Sequence, residues 1–178
     1  LLPFIYNPAG LSPGFSYAPE YRRYFPVINH WLQLADYNND GFPDLFTYTP
    51  GGIMVYRNKG ESFPAFEKAV DPYITSLQGN IFTNLLVTNV DYPAIADLDG
   101  DGDLDILTFW GLGSFVEYHC NMSVELYGNA DSLVFHKLSN CWGRFAENGE
   151  SNLISFDTCV DFRNLLPGSP PKHTGSTF

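Results

Sequence analysis

Apolar positions along this chain come in short runs, and the runs appear in the same order twice. Residues 31–48, WLQLADYNNDGFPDLFTY, read apolar, then densely polar, then apolar and aromatic; residues 92–109, YPAIADLDGDGDLDILTF, do the same. Laid one over the other at a period of 61, Ala35 falls on Ala96, and Asp36, Asp40 and Asp44 on Asp97, Asp101 and Asp105. Gly41 falls on Gly102 and Thr47 on Thr108. Behind each block comes a Gly-containing turn (TPGG, GLGS) and another apolar run (IMVYRN, FVEYHC). The residues after each polar stretch, Leu45–Tyr48 and Ile106–Phe109, are β-branched and aromatic over strand-like lengths. Each copy therefore predicts strand, acidic loop, strand, turn, strand. A sustained helical period is missing, and the short AFEKAV at 65–70 is the best helical candidate.

Three or four short strands per repeat, stacked radially, define a β-propeller; the rival is a β-sandwich carrying two acidic turns. A propeller closes with about four to eight blades, and this length holds about three at most. The expected fold is all-β, a partial β-propeller whose open sheet edges are covered by the remaining blades or by neighbouring chains. The ends, LLPFIYNPAG and KHTGSTF, are those expected of a piece of something longer.

Charge sharpens this picture. The net charge is −11, so no basic patch is available for nucleic acid. Of the 20 acidic residues, eight fall within 36–44 and 97–105, a distribution that asks for a cation. No secretory leader is visible, and no apolar run is long enough to cross a bilayer.

The acidic loops have ligand spacing. Positions 1, 3, 5 and 9 are Asp36, Asn38, Asp40 and Asp44 in the first copy, and Asp97, Asp99, Asp101 and Asp105 in the second. Glycine stands at position 6, and the position-7 carbonyl (Phe42, Asp103) adds an oxygen. Side chains at alternate positions converge while the glycine permits a sharp turn. Hard oxygen donors in this number suit Ca²⁺, with about six to eight ligands, better than Mg²⁺, which keeps its waters. Two Ca²⁺ sites are expected. EF-hand and dockerin loops open alike but place an acid at position 12 and continue as helices; here position 12 is Thr47 or Thr108, and strand follows.

The loops, the preceding Ala, the hydrophobic pair behind them and the VYRN strand resemble the FG-GAP/VCBS repeat of integrin-α-like β-propellers. The resemblance covers roughly 31–58 and 92–118. It implies calcium-binding loops between the first and second strands of each blade. FTYTPGG and LTFWGLG stand where the FG-GAP string itself would be, which favours the VCBS-like form. Read this way, residues 1–178 are a fragment of one propeller domain, with repeats roughly at 25–85 and 86–171 and the start of a further blade at 172–178. The long insertion at 119–171 is similar in style to secreted Bacteroidetes proteins of the type IX secretion route.

The three cysteines, Cys120, Cys141 and Cys159, lack CxxC spacing. Folding the last segment at Asn148-Gly149-Glu150-Ser151 sets Cys141 opposite Cys159 and predicts a disulfide, leaving Cys120 unpaired. A disulfide fits an extracellular setting. His30, His119, His136 and His173 are scattered and form no locally readable catalytic pattern. Asn121-Met122-Ser123 is a formal glycosylation sequon. Tyr17, Tyr21, Tyr24, Phe25, Trp31 and Trp110 either line a sugar-binding surface or pack between blades.

These readings converge on a non-enzymatic, calcium-binding module of a secreted or cell-surface protein, a scaffold for adhesion or for a protein or glycan ligand. An accessory propeller of a polysaccharide-degrading enzyme is the alternative, as is cargo held within a larger surface assembly.

Overall fold

In the computed structural model of the chain, residues 1–8, 14–109, 114–149, 151 and 153–159 are described. Trp110, His173 and the expected further blade at 172–178 lie outside them. The elements in chain order are β1 (Phe4–Asn7), β2 (Gly14–Tyr17), β3 (Leu32–Ala35), β4 (Asp44–Thr49), β5 (Gly52–Asn58), β6 (Phe66–Lys68), β7 (Thr75–Gln78) and β8 (Ile81–Asn84). There follow β9 (Ala94–Ala96), β10 (Asp105–Phe109), β11 (Val116–Asn121), the short helix α1 (Ser123–Tyr127), β12 (Phe135–Ser139), β13 (Phe145–Glu147) and β14 (Ile154–Phe156). The architecture is all-β. Among the described residues the strands form separate sheets and no closed ring.

The first repeat is an antiparallel meander, β3-β4-β5-β6, and the second, β9-β10-β11-β12, has the same order. The second is extended at its outer side, where β12 pairs in parallel with β7 and β7 carries β8 antiparallel. The two residues of β7 and β12 that pair, Ser76 with Phe135 and Leu77 with His136, belong to distant parts of the chain.

The best helical candidate, 65–70, instead supplies β6. Its residues complete the ladder of β5, Lys68 opposite Tyr56 and Phe66 opposite Asn58. A six-residue stretch has too little intrinsic helicity to resist an open sheet edge. The helix that does form, α1, lies in the connection between β11 and β12 and ends on Gly128 in a left-handed conformation (φ 72°), a common helix stop.

Alternation along the strands explains the core. Phe46 and Tyr48 of β4 lie across from Val55 and Ile53 of β5, so these four share one face. Phe46, Ile53 and Val55 are buried with Ile106 of β10 and Phe135 of β12, so the two repeats share a single apolar cluster. Ile74, Leu85 and Val87 of the linker join it, as does Trp31, which is 1% exposed. That places Trp31 in the packing role for these aromatics. The linker is bound to β5 through its backbone, Ile74 N–H donating to the Ile53 carbonyl at 2.9 Å, and closes on itself where Leu85 N–H donates to the Ile74 carbonyl at 3.0 Å. Gly52 allows this approach, since a Cβ there would run into the Leu85 carbonyl oxygen.

The terminal hairpin forms as expected. Phe145, Ala146 and Glu147 pair with Phe156, Ser155 and Ile154, and a Cys141–Cys159 disulfide closes it with Cα atoms 5.9 Å apart. Cys120 is free and buried.

Candidate metal centre

The acidic loops are the turns β3–β4 and β9–β10, and each is tied by the same clamp. The position-9 carboxylate is fully buried and receives two backbone amides. Asp44 Oδ2 accepts from Tyr37 N–H at 3.0 Å, and its Oδ1 from Asn58 N–H at 2.8 Å. Asp105 Oδ2 accepts from Leu98 N–H at 3.0 Å, and its Oδ1 from Asn121 N–H at 2.9 Å; the Tyr118 hydroxyl adds a third bond at 3.1 Å. One side chain thus ties the loop's second residue to the end of the third strand. Burial pushes both carboxyls above the usual range, and the donated amides pull them back.

The clamp also corrects the alignment of the third strands. Leu45 pairs with Tyr56, and Ile106 pairs with His119. Asn58 therefore corresponds to Asn121, 63 residues away, while the loops are offset by 61. The second β–turn–β connection is two residues longer, so YRN overlies HCN and Arg57 corresponds to Cys120.

Each loop is wound around its first aspartate. Asp36 accepts from the amides of Asp40 (3.1 Å) and Gly41 (2.8 Å), and Asp97 from those of Gly100 (2.7 Å) and Gly102 (3.2 Å). The position-6 glycines have φ of 89° and 100°, a region that side chains strain to enter. Position 4 is also left-handed; it is Asn39 in one loop and Gly100 in the other.

Beyond this shared frame the loops differ. In the first, Asn38 donates to Asp40 at 2.9 Å and the Arg57 guanidinium lies 3.5 Å from Asp40. The Asn38 amide, the Phe42 N–H and Arg57 together hold the Asp40 carboxyl below its ordinary value. Arg57 also approaches Asp131 of the second repeat, at 3.9 Å. In the second loop, Asp97, Asp99 and Asp101 bring one carboxylate oxygen each to within 4.8 Å of the others. The thiol of Cys120 stands near Asp99 (3.5 Å), where the first repeat has its arginine. Burial pushes that thiol up to about 12, so it remains protonated at neutral pH.

The residues present fit a hard cation. Asp101 Oδ2 and Asp103 Oδ1 are buried oxygens without a hydrogen-bond partner, in a loop whose donor set is carboxylate-rich. These acidic clusters can hold a metal ion. Asp103, chosen from sequence for its backbone carbonyl, is itself 1% exposed, and its Oδ2 accepts from Val124 N–H of α1 at 3.1 Å. Its carboxyl is raised to about 6, chiefly by burial, with Asp101, Asp105 and Glu125 adding to the rise.

Two other sequence candidates resolve differently. The Asn121 side chain is fully buried, donates to the Ser132 carbonyl at 3.4 Å and accepts from the Ser123 hydroxyl at 2.7 Å. A side-chain amide enclosed in this way cannot carry a glycan, so the sequon is not a modification site in this fold. His119 is also fully buried, its Nδ1 2.8 Å from the Ser76 hydroxyl and its Nε2 3.4 Å from Glu117, which binds Lys137 at 3.0 Å. Ser76, His119 and Glu117 are all buried, so this chain of polar groups ties β7 to β11 from within the sheet. Sequence reading missed it, as it missed Glu125 and Arg57, because each partner comes from a remote or inserted segment.

Residues 36–108, from the first acidic loop through the second and into β10, match the family model of the FG-GAP-like repeat. No curated protein and no solved structure matches the chain.

Proposed function

We propose that the chain carrying this FG-GAP-like repeat is a calcium-stabilised, non-catalytic β-propeller-like binding module of a secreted or cell-surface protein. The observation that supports it best is the duplicated clamp of Asp44 and Asp105, which holds an oxygen-rich loop in place twice over. In this reading Asp36, Asn38, Asp40 and the Phe42 carbonyl line one Ca²⁺ site, and Asp97, Asp99, Asp101 and the Asp103 carbonyl the other. Asp44 and Asp105, at position 9, belong to these two sets as well, and their amide bonds fix the frame of each. A bound dication supplies the positive charge that lets the converging carboxylates stay close.

The loops carry oxygen donors suited to binding a cation. The Ser76–His119–Glu117 chain is sealed within the protein. Ligand contact falls instead to the surface next to the first loop. There Phe25, Phe42, Phe63 and Phe66 line a cleft of about 370 Å³. Phe42 belongs to the loop, so ordering the loop shapes the cleft, and an aromatic lining suits a sugar face or an apolar peptide side chain. The disulfide accords with an extracellular address, and the insertion-rich second repeat is the ground for assigning the type IX secretion route.

Immobilised protein should bind members of a glycan and peptide panel saturably in calcium and weakly in EDTA, without turnover. EDTA should also lower the melting temperature and Ca²⁺ restore it. An identical melting curve in both buffers removes the calcium assignment, and release of cleaved glycan removes the non-catalytic one.

A further inference from the structure

We propose that the second acidic loop holds an additional divalent cation, coordinated by Asp101, Asp103 and Glu125, with Asp101 shared between it and the loop's own site. The inference rests on the calcium reading above, with which it shares the Asp101 carboxylate and the residue Asp103, there through its backbone carbonyl and here through its side chain.

The geometry is local and specific. One carboxylate oxygen from each of Asp101, Asp103 and Glu125 lies within 4.8 Å of the other two. Oxygen ligands about 2.3–2.6 Å from a Ca²⁺ ion span separations of that size. An acidic cluster alone would be unremarkable, but this one contains a buried oxygen that is left unsatisfied. Asp103 is 1% exposed; its Oδ2 is taken by the Val124 amide, and its Oδ1 has no hydrogen-bond partner. Asp101 Oδ2 is likewise buried and unpartnered. A carboxylate oxygen removed from water without a donor is costly, and a cation bound by these side chains removes that cost.

Comparison of the two repeats isolates the feature. Position 7 of the first loop is Phe42, which offers no side-chain oxygen, and Asp40 there is accompanied by Arg57 at 3.5 Å. In the second loop the arginine is replaced by the neutral Cys120. Among the described residues, no Lys or Arg nitrogen lies within 4.0 Å of Asp97, Asp99, Asp101, Asp103, Asp105 or Glu125. The third ligand comes from α1, whose Val124 amide is anchored on Asp103, so that the helix delivers Glu125 to the cluster. The shorter β5–β6 connection of the first repeat has no such helix. The second repeat thus carries both an added demand for positive charge and an added ligand.

The test is a calcium titration by calorimetry, with bound metal counted after equilibrium dialysis of the whole chain. Glu125 is exposed, so Glu125→Gln should fold normally and bind one calcium ion fewer than the wild type. Asp103→Asn should do the same. Asp36→Asn should lose the ion of the first loop and keep the one that depends on Glu125. An unchanged count in Glu125→Gln, with calcium still bound by the wild type, overturns the additional site and leaves the calcium reading intact. No calcium bound by the wild type overturns both.

Discussion

Asn39 of the first acidic loop donates its side-chain amide to the Gly102 carbonyl of the second, at 2.8 Å and across 63 residues of chain. The two loops are therefore neighbours, and the order of one bears on the other. Asn39 also holds a left-handed backbone conformation (φ 57°), which Asn and Gly tolerate better than other residues. Asn39→Gly removes the bond and keeps the conformation, and should cost about 0.5–1 kcal/mol, the lower part of the range for a hydrogen bond at an exposed site. Asn39→Ala should cost about 1 kcal/mol more. Urea unfolding of both variants measures the difference; equal stabilities would deny the backbone strain.

The clamp carboxylates are structural before they are anything else. Asp44→Ala strands two backbone amides within the fold and should destabilise the chain by about 3 kcal/mol, with Asp105→Ala at least as damaging because it also releases Tyr118. The loss should be nearly as large in EDTA as in calcium. A penalty that vanishes in EDTA would make Asp44 a metal ligand only.

Acidity should act on the calcium-free chain through Asp103. Its folded-state value of about 6 lies above the ordinary 3.8, so the folded state holds this proton more tightly than the unfolded one. The resulting stabilisation is complete below the unfolded value and is lost as pH rises through about 6. Measured as wild type against Asp103→Asn, the difference should shrink by about 3 kcal/mol between about pH 3.5 and about pH 7.5. A difference that grows with pH would reverse the sign and refute the assignment. Saturating calcium should abolish the trend by keeping the carboxylate ionised.

The cysteines should separate cleanly by chemistry. Cys120 is 2% exposed and its thiol is pushed up to about 12, so the native chain should resist alkylation and the unfolded, unreduced chain should take up label at this residue. Reduction of Cys141–Cys159 should cost about 3 kcal/mol in the terminal hairpin. Hydrogen exchange should show the loss in β13 and β14 and spare β4, β5, β10 and β11. Fast native labelling before reduction would contradict the buried thiol.

The legible features were those written in adjacent residues. Aspartates at alternate positions with glycine at the sixth specify a tight oxygen-rich turn, because side-chain direction and the left-handed glycine are properties of a few consecutive residues. The strands behind each loop and the hairpin joining Cys141 to Cys159 follow from equally short patterns. The 65–70 segment could be named only as a helical candidate because a six-residue stretch has little preference of its own, and the vacant edge of β5 made it strand. Asn121-Met122-Ser123 reads as a formal sequon whatever its depth, because a tripeptide carries no record of burial.

The amino-acid order alone thus specified the loop spacing, the duplication and the all-β character, each set by interactions within about ten residues. Folding at long range settled the rest. It set the 63-residue offset of Asn58 and Asn121, the parallel pairing of β7 with β12, and the arrival of Glu125 beside Asp101 and Asp103. Those relations depend on how long each connection is and on which apolar faces meet in the shared core around Phe46, Ile106 and Phe135. Packing between segments sixty residues apart has no counterpart in a local pattern.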